Sequence, residues 1–468
     1  MSGKQNVPPG SADGSGNLLA LALLALIVGA AAGFVGAVFR LALEKADRLR
    51  DTLIAWGHGE RLAGFLILVV ASAAATLVAA WLVRRYSPYA SGSGIPQVEA
   101  VLSGELPEPP FRIIPVKFVG GVLAIGAGLA LGREGPSVHM GATMAHLIGK
   151  LFGRNWPDCR VLLAAGAGAG LATAFNAPIA GAIFVLEELV RRFEPRIAIA
   201  ALGASATAIG VSRLLLGNAP DFHVEALNYA AAETSPLYFV LGAIAGLMAI
   251  VYNRTLLATT AAAERVRLPV ELRAGLIGAA IGALAWFRPD LVGGGDTITQ
   301  RTLAGAETLA ILPLVFLLRL GLGAVSYAAA TPGGLFAPLL VLGAQLGLFF
   351  GLLSRLAFPD LDIQPEGFAV VGMAAFFTGA VRAPLTGIVL VTEMTSNVTM
   401  LLPMLGACFA AMLVPTLLSD APIYDSLRES LLRRAPARPG RIESADPDLA
   451  DRSSVSRTRL DENGSDRP

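Results

Sequence analysis

Long stretches of this chain contain no Asp, Glu, Lys or Arg: 14–39, 62–83, 161–186, 234–253, 320–354 and 394–419. A helix crosses a bilayer with about 20 apolar residues, so each stretch reads as membrane-spanning. Three others are too short for a simple crossing: 118–132 has 15 residues, 274–287 has 14 and 308–318 has 11. The 35-residue stretch 320–354 is too long for one span, and Thr331-Pro332-Gly333-Gly334 interrupts it. Short and Gly/Pro-broken apolar segments predict helices that stop partway through the membrane. Such ends are tolerated only where protein or a water-filled cavity surrounds the backbone. Segment 14–39 exceeds a signal-peptide core and more spans follow it, so it reads as an ordinary first span.

Composition sharpens this picture. Hydrophobic residues make up 54% of the 468 and charged residues 15%, against roughly 25% charged in soluble domains. Charge is also uneven: 17 charged side chains fall within the 41 residues 428–468. What remains cannot cover the surface of a soluble protein, so the reading is an all-α integral membrane protein in a lipid bilayer. A net charge of +1 with no broad basic stretch excludes a nucleic-acid groove. Cys159 and Cys408, with His58, His139, His146 and His223, form neither a disulfide framework nor a metal site, and no cofactor is expected. Residues 1–16 and 431–468 are expected to be disordered tails, flanking a first membrane repeat at 17–230 and a second at 231–430. Arg84, Arg85, Arg191, Arg192, Arg433 and Arg434 mark cytoplasmic ends, against a competing cluster of Arg40, Lys45, Arg48 and Arg50.

The two halves share a pattern. Gly132-Arg-Glu-Gly-Pro136, with Gly141 and Gly149, matches Gly334-Leu-Phe-Ala-Pro338, with Gly343 and Gly351, at an offset of 202. Ala177-Pro178 through Glu187 matches Ala383-Pro384 through Glu393 at an offset of 206. A repeated half with broken helices suggests a transporter whose site lies near the midplane.

Three breaks follow one logic. Ser91-Gly92-Ser93-Gly94-Ile95-Pro96, Gly132-Arg133-Glu134-Gly135-Pro136 and Gly333-Gly334-Leu335-Phe336-Ala337-Pro338 each place small turn residues before a Pro near a helix start. A helix N-terminus carries free N–H groups and about half a positive charge, and so binds anions. Three aimed at one point would hold an anion weakly enough to release it. Glu134 lies inside this pattern. A carboxylate at membrane depth costs about 2.5–3.5 kcal/mol, so it is usually functional. Ionised, Glu134 competes with the anion; protonated, it is neutral and can swing away. The plain alternative is a Glu134–Arg133 pair at an interface. Glu187 and Glu188 end an apolar stretch; they read as interface charges near Arg191 and Arg192, or as a second proton-transfer site. Glu99 and Lys117 are candidate buried ions. Tyr424 reads as an interface-belt residue or as a phenol donor to an anion. The glycines of 126–128 and 166–170 read as helix-packing positions.

The segments Gly92-Ser93-Gly94-Ile95-Pro96, Gly132-Arg133-Glu134-Gly135-Pro136 and Gly334-Leu335-Phe336-Ala337-Pro338 resemble the CLC family of chloride channels and chloride/proton antiporters. Pro115-Val116-Lys117-Phe118 and Phe175-Asn176-Ala177-Pro178 support the match, which covers about residues 17–430. The resemblance implies an inverted-repeat bundle of tilted and broken helices, assembled as a homodimer with one pore per subunit. It implies that the Ser93 hydroxyl, the Tyr424 phenol and the N–H groups of Leu335 and Phe336 hold a central chloride. Glu134 would be the outer gating glutamate, with backbone N–H groups of Gly132, Arg133 and Gly135 near the outer anion site. Glu188 would be the inner proton-transfer glutamate of the antiporter branch, and Glu187 its neighbour. Gln97 departs from the Glu common in bacterial relatives. The implied function is chloride/proton antiport across a cell membrane, in a bacterium the inner one, with both termini cytoplasmic. The rivals are a passive chloride channel of the same fold, an intramembrane hydrolase using Ser205 in Gly203-Ala204-Ser205-Ala206, and a structural scaffold.

Overall fold

The computed structural model describes the backbone of residues 12–434, with side chains from residue 18. The first half contributes α1 (Ala12–Gly59), α2 (Leu62–Tyr86), α3 (Ile95–Leu102), α4 (Ile113–Gly126), α5 (Glu134–Leu151), α6 (Trp156–Phe175), α7 (Pro178–Phe184) and α8 (Pro195–Leu216). The second half answers with α9 (Ser235–Arg265), α10 (Val270–Phe287), α11 (Asp296–Leu303), α12 (Leu312–Tyr327), α13 (Phe336–Ala357), α14 (Pro365–Val381), α15 (Pro384–Thr395) and α16 (Leu401–Leu417), and α17 (Ile423–Arg434) follows. Residues 1–11 and most of the expected C-terminal tail, 435–468, lie outside the described residues. Helix α1 already takes in Ala12–Gly16, which the sequence reading gave to the N-terminal tail.

Among the described residues, seven helices are long and apolar enough to cross a membrane. Their outward faces carry Leu23, Leu66, Phe239, Leu276 and Leu353, all exposed, as a lipid-facing surface requires. Three of the differences between the span boundaries and the charge-free stretches have a visible physical cause. Helix α1 runs on past Arg40, because 37–56 contains no Gly or Pro and Arg40, Glu44 and Arg48 are spaced at i,i+4, which supports a helix. Stretch 161–186 is two helices: Asn176 adopts left-handed φ 51° and Pro178 starts α7. Residues 312–318 and 320–327, from two separate stretches, belong to one helix, α12, with Arg319 buried inside it. Its guanidinium donates to the carbonyls of Leu291, Gly293 and Gly294 at 3.0–3.2 Å, and these contacts let a charge sit in a span.

The halves pack alike. α5 lies on α6 as α13 lies on α14, α1 packs on α8 as α9 packs on α16, and α2 meets α10. Glycine permits the close approaches. A Cβ on Gly141 would lie 2.3 Å from Gly166 O, and one on the repeat-equivalent Gly343 would lie 2.4 Å from Gly372 O. The small-residue run of α6 is therefore a packing face.

The halves also close each other. Glu187, just past α7, accepts from Leu385 N (3.0 Å) and Thr386 N (2.6 Å) at the start of α15. Glu393, in α15, accepts from Ile179 N (3.1 Å) and Ala180 N (2.8 Å) at the start of α7. Each helix ends where the other begins, so the two run antiparallel and the repeats are inverted.

Candidate functional site

Three helix N-termini converge because their preceding loops hydrogen-bond to one another. Gly92 N donates to Thr331 O and Gly333 N to Gly92 O, both at 3.1 Å. Gly132 and Gly334 exchange N–H···O bonds of 2.9 and 2.7 Å. The loop before α13 thus touches the loops before α3 and α5. Lys117, fully buried in α4, donates to Gly92 O at 2.6 Å and Ser93 O at 3.0 Å. The two carbonyls take its N–H donors, and it pins the Ser93 loop. At the centre nothing larger than glycine fits: a Cβ on Gly135 would lie 2.5 Å from Ser93 O, 2.7 Å from Ser93 Oγ and 2.9 Å from Gly334 Cα.

Glu134 occupies this centre. It is the first residue of α5 and is fully buried. Its Oε1 accepts from Phe336 N–H, the first amide of α13, at 2.7 Å, and its Oε2 has no partner. The carboxylate fills the space over two glycines: a Cβ on Gly132 would sit 2.0 Å from Oε2, and one on Gly334 would sit 2.1 Å from Oε1. A carboxylate on a helix N-terminus is itself an anion on an anion site. The Ser93 hydroxyl and Tyr424 phenol are fully buried without hydrogen-bond partners. Unmatched buried hydroxyls are costly, and an anion would satisfy both. Phe336 walls the site, its ring 5.9 Å from Tyr424, 4.6 Å from Phe377 and 5.7 Å from Phe184.

The remaining expected residues divide. Ser93, Glu134, Gly135, Leu335, Phe336 and Tyr424 belong to this centre. Gly132 is not a donor, because its N–H is spent on Gly334 O; it leaves room for the carboxylate. The Arg133 side chain turns away. It pairs with Asp221 at 3.0 Å and Asp296 at 2.9 Å and donates to Ala174 O at 2.8 Å, so the interface pair Glu134–Arg133 is not formed. Arg133 and Gly132 instead line a cavity of about 460 Å³ that opens beside Glu134.

Glu188 marks a second cluster. It sits in a π-helical turn, Val185–Leu189, a distortion frequent at functional sites. Glu188 and Glu99 are both buried, and Arg191 Nη2 lies 3.6 and 3.5 Å from their carboxylates. The same atom lies 2.6 Å from Asp425. Arg192 pairs with Glu194 instead, at 3.5 Å. A cavity of about 620 Å³ bordered by Glu187, Glu188 and Arg191 opens this cluster to the surface. Glu187 points away from Glu188 into its cap on α15 and is therefore a structural residue. Glu187→Ala is expected to destabilise the protein by about 1–2 kcal/mol, read as a lower unfolding midpoint in detergent; an unchanged midpoint would refute the cap.

Asp425 and Asp221 were not anticipated from the sequence, and Glu393 was named there only as the end of the repeat. Asp425 adjoins Tyr424, and Glu393 is the repeat mate of Glu187, so both carried a signal. The two clusters share elements: α3 runs from the Ser93 loop to Glu99, about 9 Å along its axis, and α17 presents Tyr424 to one and Asp425 to the other.

The sequence profile of the voltage gated chloride channel family matches residues 75–416, a range that holds all three convergent loops. The chain belongs to this family, the CLC proteins. Among CLC relatives, the H(+)/Cl(-) exchange transporter ClcA of Vibrio parahaemolyticus is 37% identical over 418 residues, covering 88% of this chain and 90% of that protein. The ClcA of Salmonella arizonae is 36% identical over 428 residues, covering 90% of each. Among solved CLC structures, a slow cyanobacterial Cl-/H+ antiporter superposes with a TM-score of 0.85 at 32% identity, covering 88% of this chain and 98% of that one.

Proposed function

We propose that this CLC protein exchanges chloride for protons across the membrane. The observation that carries the reading is the Glu134 carboxylate on the Phe336 amide. Deprotonated, it holds a donor that chloride would use; protonated, it yields that donor and carries a proton away. Occupancy by chloride and protonation of Glu134 are therefore linked. Chloride rests on the Ser93 hydroxyl, the Tyr424 phenol and the N–H groups of Leu335 and Phe336. Glu188, buried beside a surface-reaching cavity, loads protons from the opposite side, and Glu99 and Arg191 set its electrostatic surroundings. A passive channel would need no second buried carboxylate. The relatives named as exchange transporters support the same choice. The hydrolase reading has no support in the geometry: the buried Ser205 Oγ has no hydrogen-bond partner, so no base reaches it.

We further place the protein in a bacterial inner membrane with both termini cytoplasmic, as a homodimer. In that dimer the exposed apolar side chains Ile179 on α7, Leu202 on α8, Leu385 on α15 and Leu402 on α16 would be covered by the partner subunit.

The test is reconstitution in liposomes with an outward chloride gradient. Chloride efflux should drive proton uptake against a pH gradient. Chloride efflux with no proton movement would establish the passive channel instead.

A further inference from the structure

A second cavity, of about 480 Å³, lies on the side of the site that carries α17, bordered by Ser91, Gly92, Gln97 and Tyr327. It reaches the Ser93 loop but not Ser93, which is fully buried behind it. The phenol of Tyr327, near the end of α12, stands between them. Ser93 N–H donates to Tyr327 Oη at 3.5 Å. Gly92 makes room for the ring: it has φ 63°, and a Cβ there would lie 2.8 Å from Oη. The loop itself is fixed, since Gly92 N, Gly92 O and Ser93 O are all bonded to Thr331, Gly333 or Lys117. The ring is only half-buried and faces the cavity. Of the two walls of this passage, the loop is held at three backbone atoms, whereas the phenol oxygen is retained by one long hydrogen bond and its ring by packing on apolar neighbours.

We propose that Tyr327 is a gating residue for the chloride step, closing the passage between this cavity and the Ser93–Tyr424 hydroxyls until its phenol leaves the Ser93 N–H. The proposal rests on the antiport reading above. It assigns a role to a residue outside the three convergent loops, and it makes breaking one hydrogen bond part of the barrier to chloride passage.

The test compares wild type, Tyr327→Phe and Tyr327→Ala in the liposome assay, with chloride titrated by calorimetry in detergent. Tyr327→Phe keeps the ring and removes the bond, so maximal chloride turnover should rise roughly two- to threefold, the low end of the worth of a hydrogen bond, as its length requires. Tyr327→Ala should rise at least as much. The equilibrium chloride affinity should change by less than about twofold, because the central donors are untouched. Wild-type turnover in both variants would overturn the proposal. So would slower turnover with a lowered unfolding midpoint, which marks a packing residue. If the wild type itself moves no chloride, the antiport reading falls, and the gate with it.

Discussion

Glu134→Gln is expected to leave chloride moving through the reconstituted protein while proton movement falls to the level of protein-free vesicles. Gln is close in size to Glu and stays neutral at every pH. The space over Gly132 and Gly334 remains filled, and the amide can still swing, but there is no proton to take up or release. Two readouts follow. Chloride flux in the variant should lose the pH dependence that titration of Glu134 gives the wild type. Chloride should also bind more tightly, up to about tenfold, because a neutral amide holds the Phe336 N–H less strongly than a carboxylate does. Proton transport that survives in Glu134→Gln would remove Glu134 from the proton route.

Glu188→Gln should also abolish proton movement and keep chloride flux, by a different physical route. Glu188 lies in the cluster around Arg191, not among the chloride donors. Its substitution should therefore leave chloride affinity within about twofold of wild type, in contrast to Glu134→Gln, and should leave chloride flux pH-dependent through Glu134. Calorimetry together with paired chloride and proton flux separates the two variants. If Glu188→Gln still pumps protons under a chloride gradient, the inner cluster is a structural ion network around Arg191.

The three helix starts, Glu134 and the repeat were legible in the sequence because each demand is local. A helix that begins inside the membrane needs small residues and a Pro within a few positions, and a lone Glu there stands out against apolar neighbours. Inversion of the repeat came only through the family resemblance, and the roles of paired residues were not legible. The carboxylate of Glu187 could be a proton carrier or a helix cap, and only its contact with residue 386 decides. Arg319 looked like the boundary between two apolar stretches, because its carbonyl partners at 291–294 are invisible from its own segment. Stretch 161–186 was read through Asn176-Ala177-Pro178, since counting charges alone misses a Pro that starts a new helix. Gly132 was expected as a donor and proved to be a space-maker, a distinction set by its bonding across the molecule to Gly334. Tyr327 carried no local signal at all: it is one apolar-segment Tyr whose meaning comes from Gly92 and Ser93, more than 230 positions away.

The crossed caps of Glu187 and Glu393 bear on how such a chain can be divided. Cut in the loop between α8 and α9, each fragment would keep a carboxylate intended for the other and a helix start that nothing in its own sequence can close. Neither fragment is a self-sufficient membrane unit. Each matches only a companion inserted in the opposite orientation, so co-expressed halves should assemble with each other and each alone should be cleared by quality-control proteases.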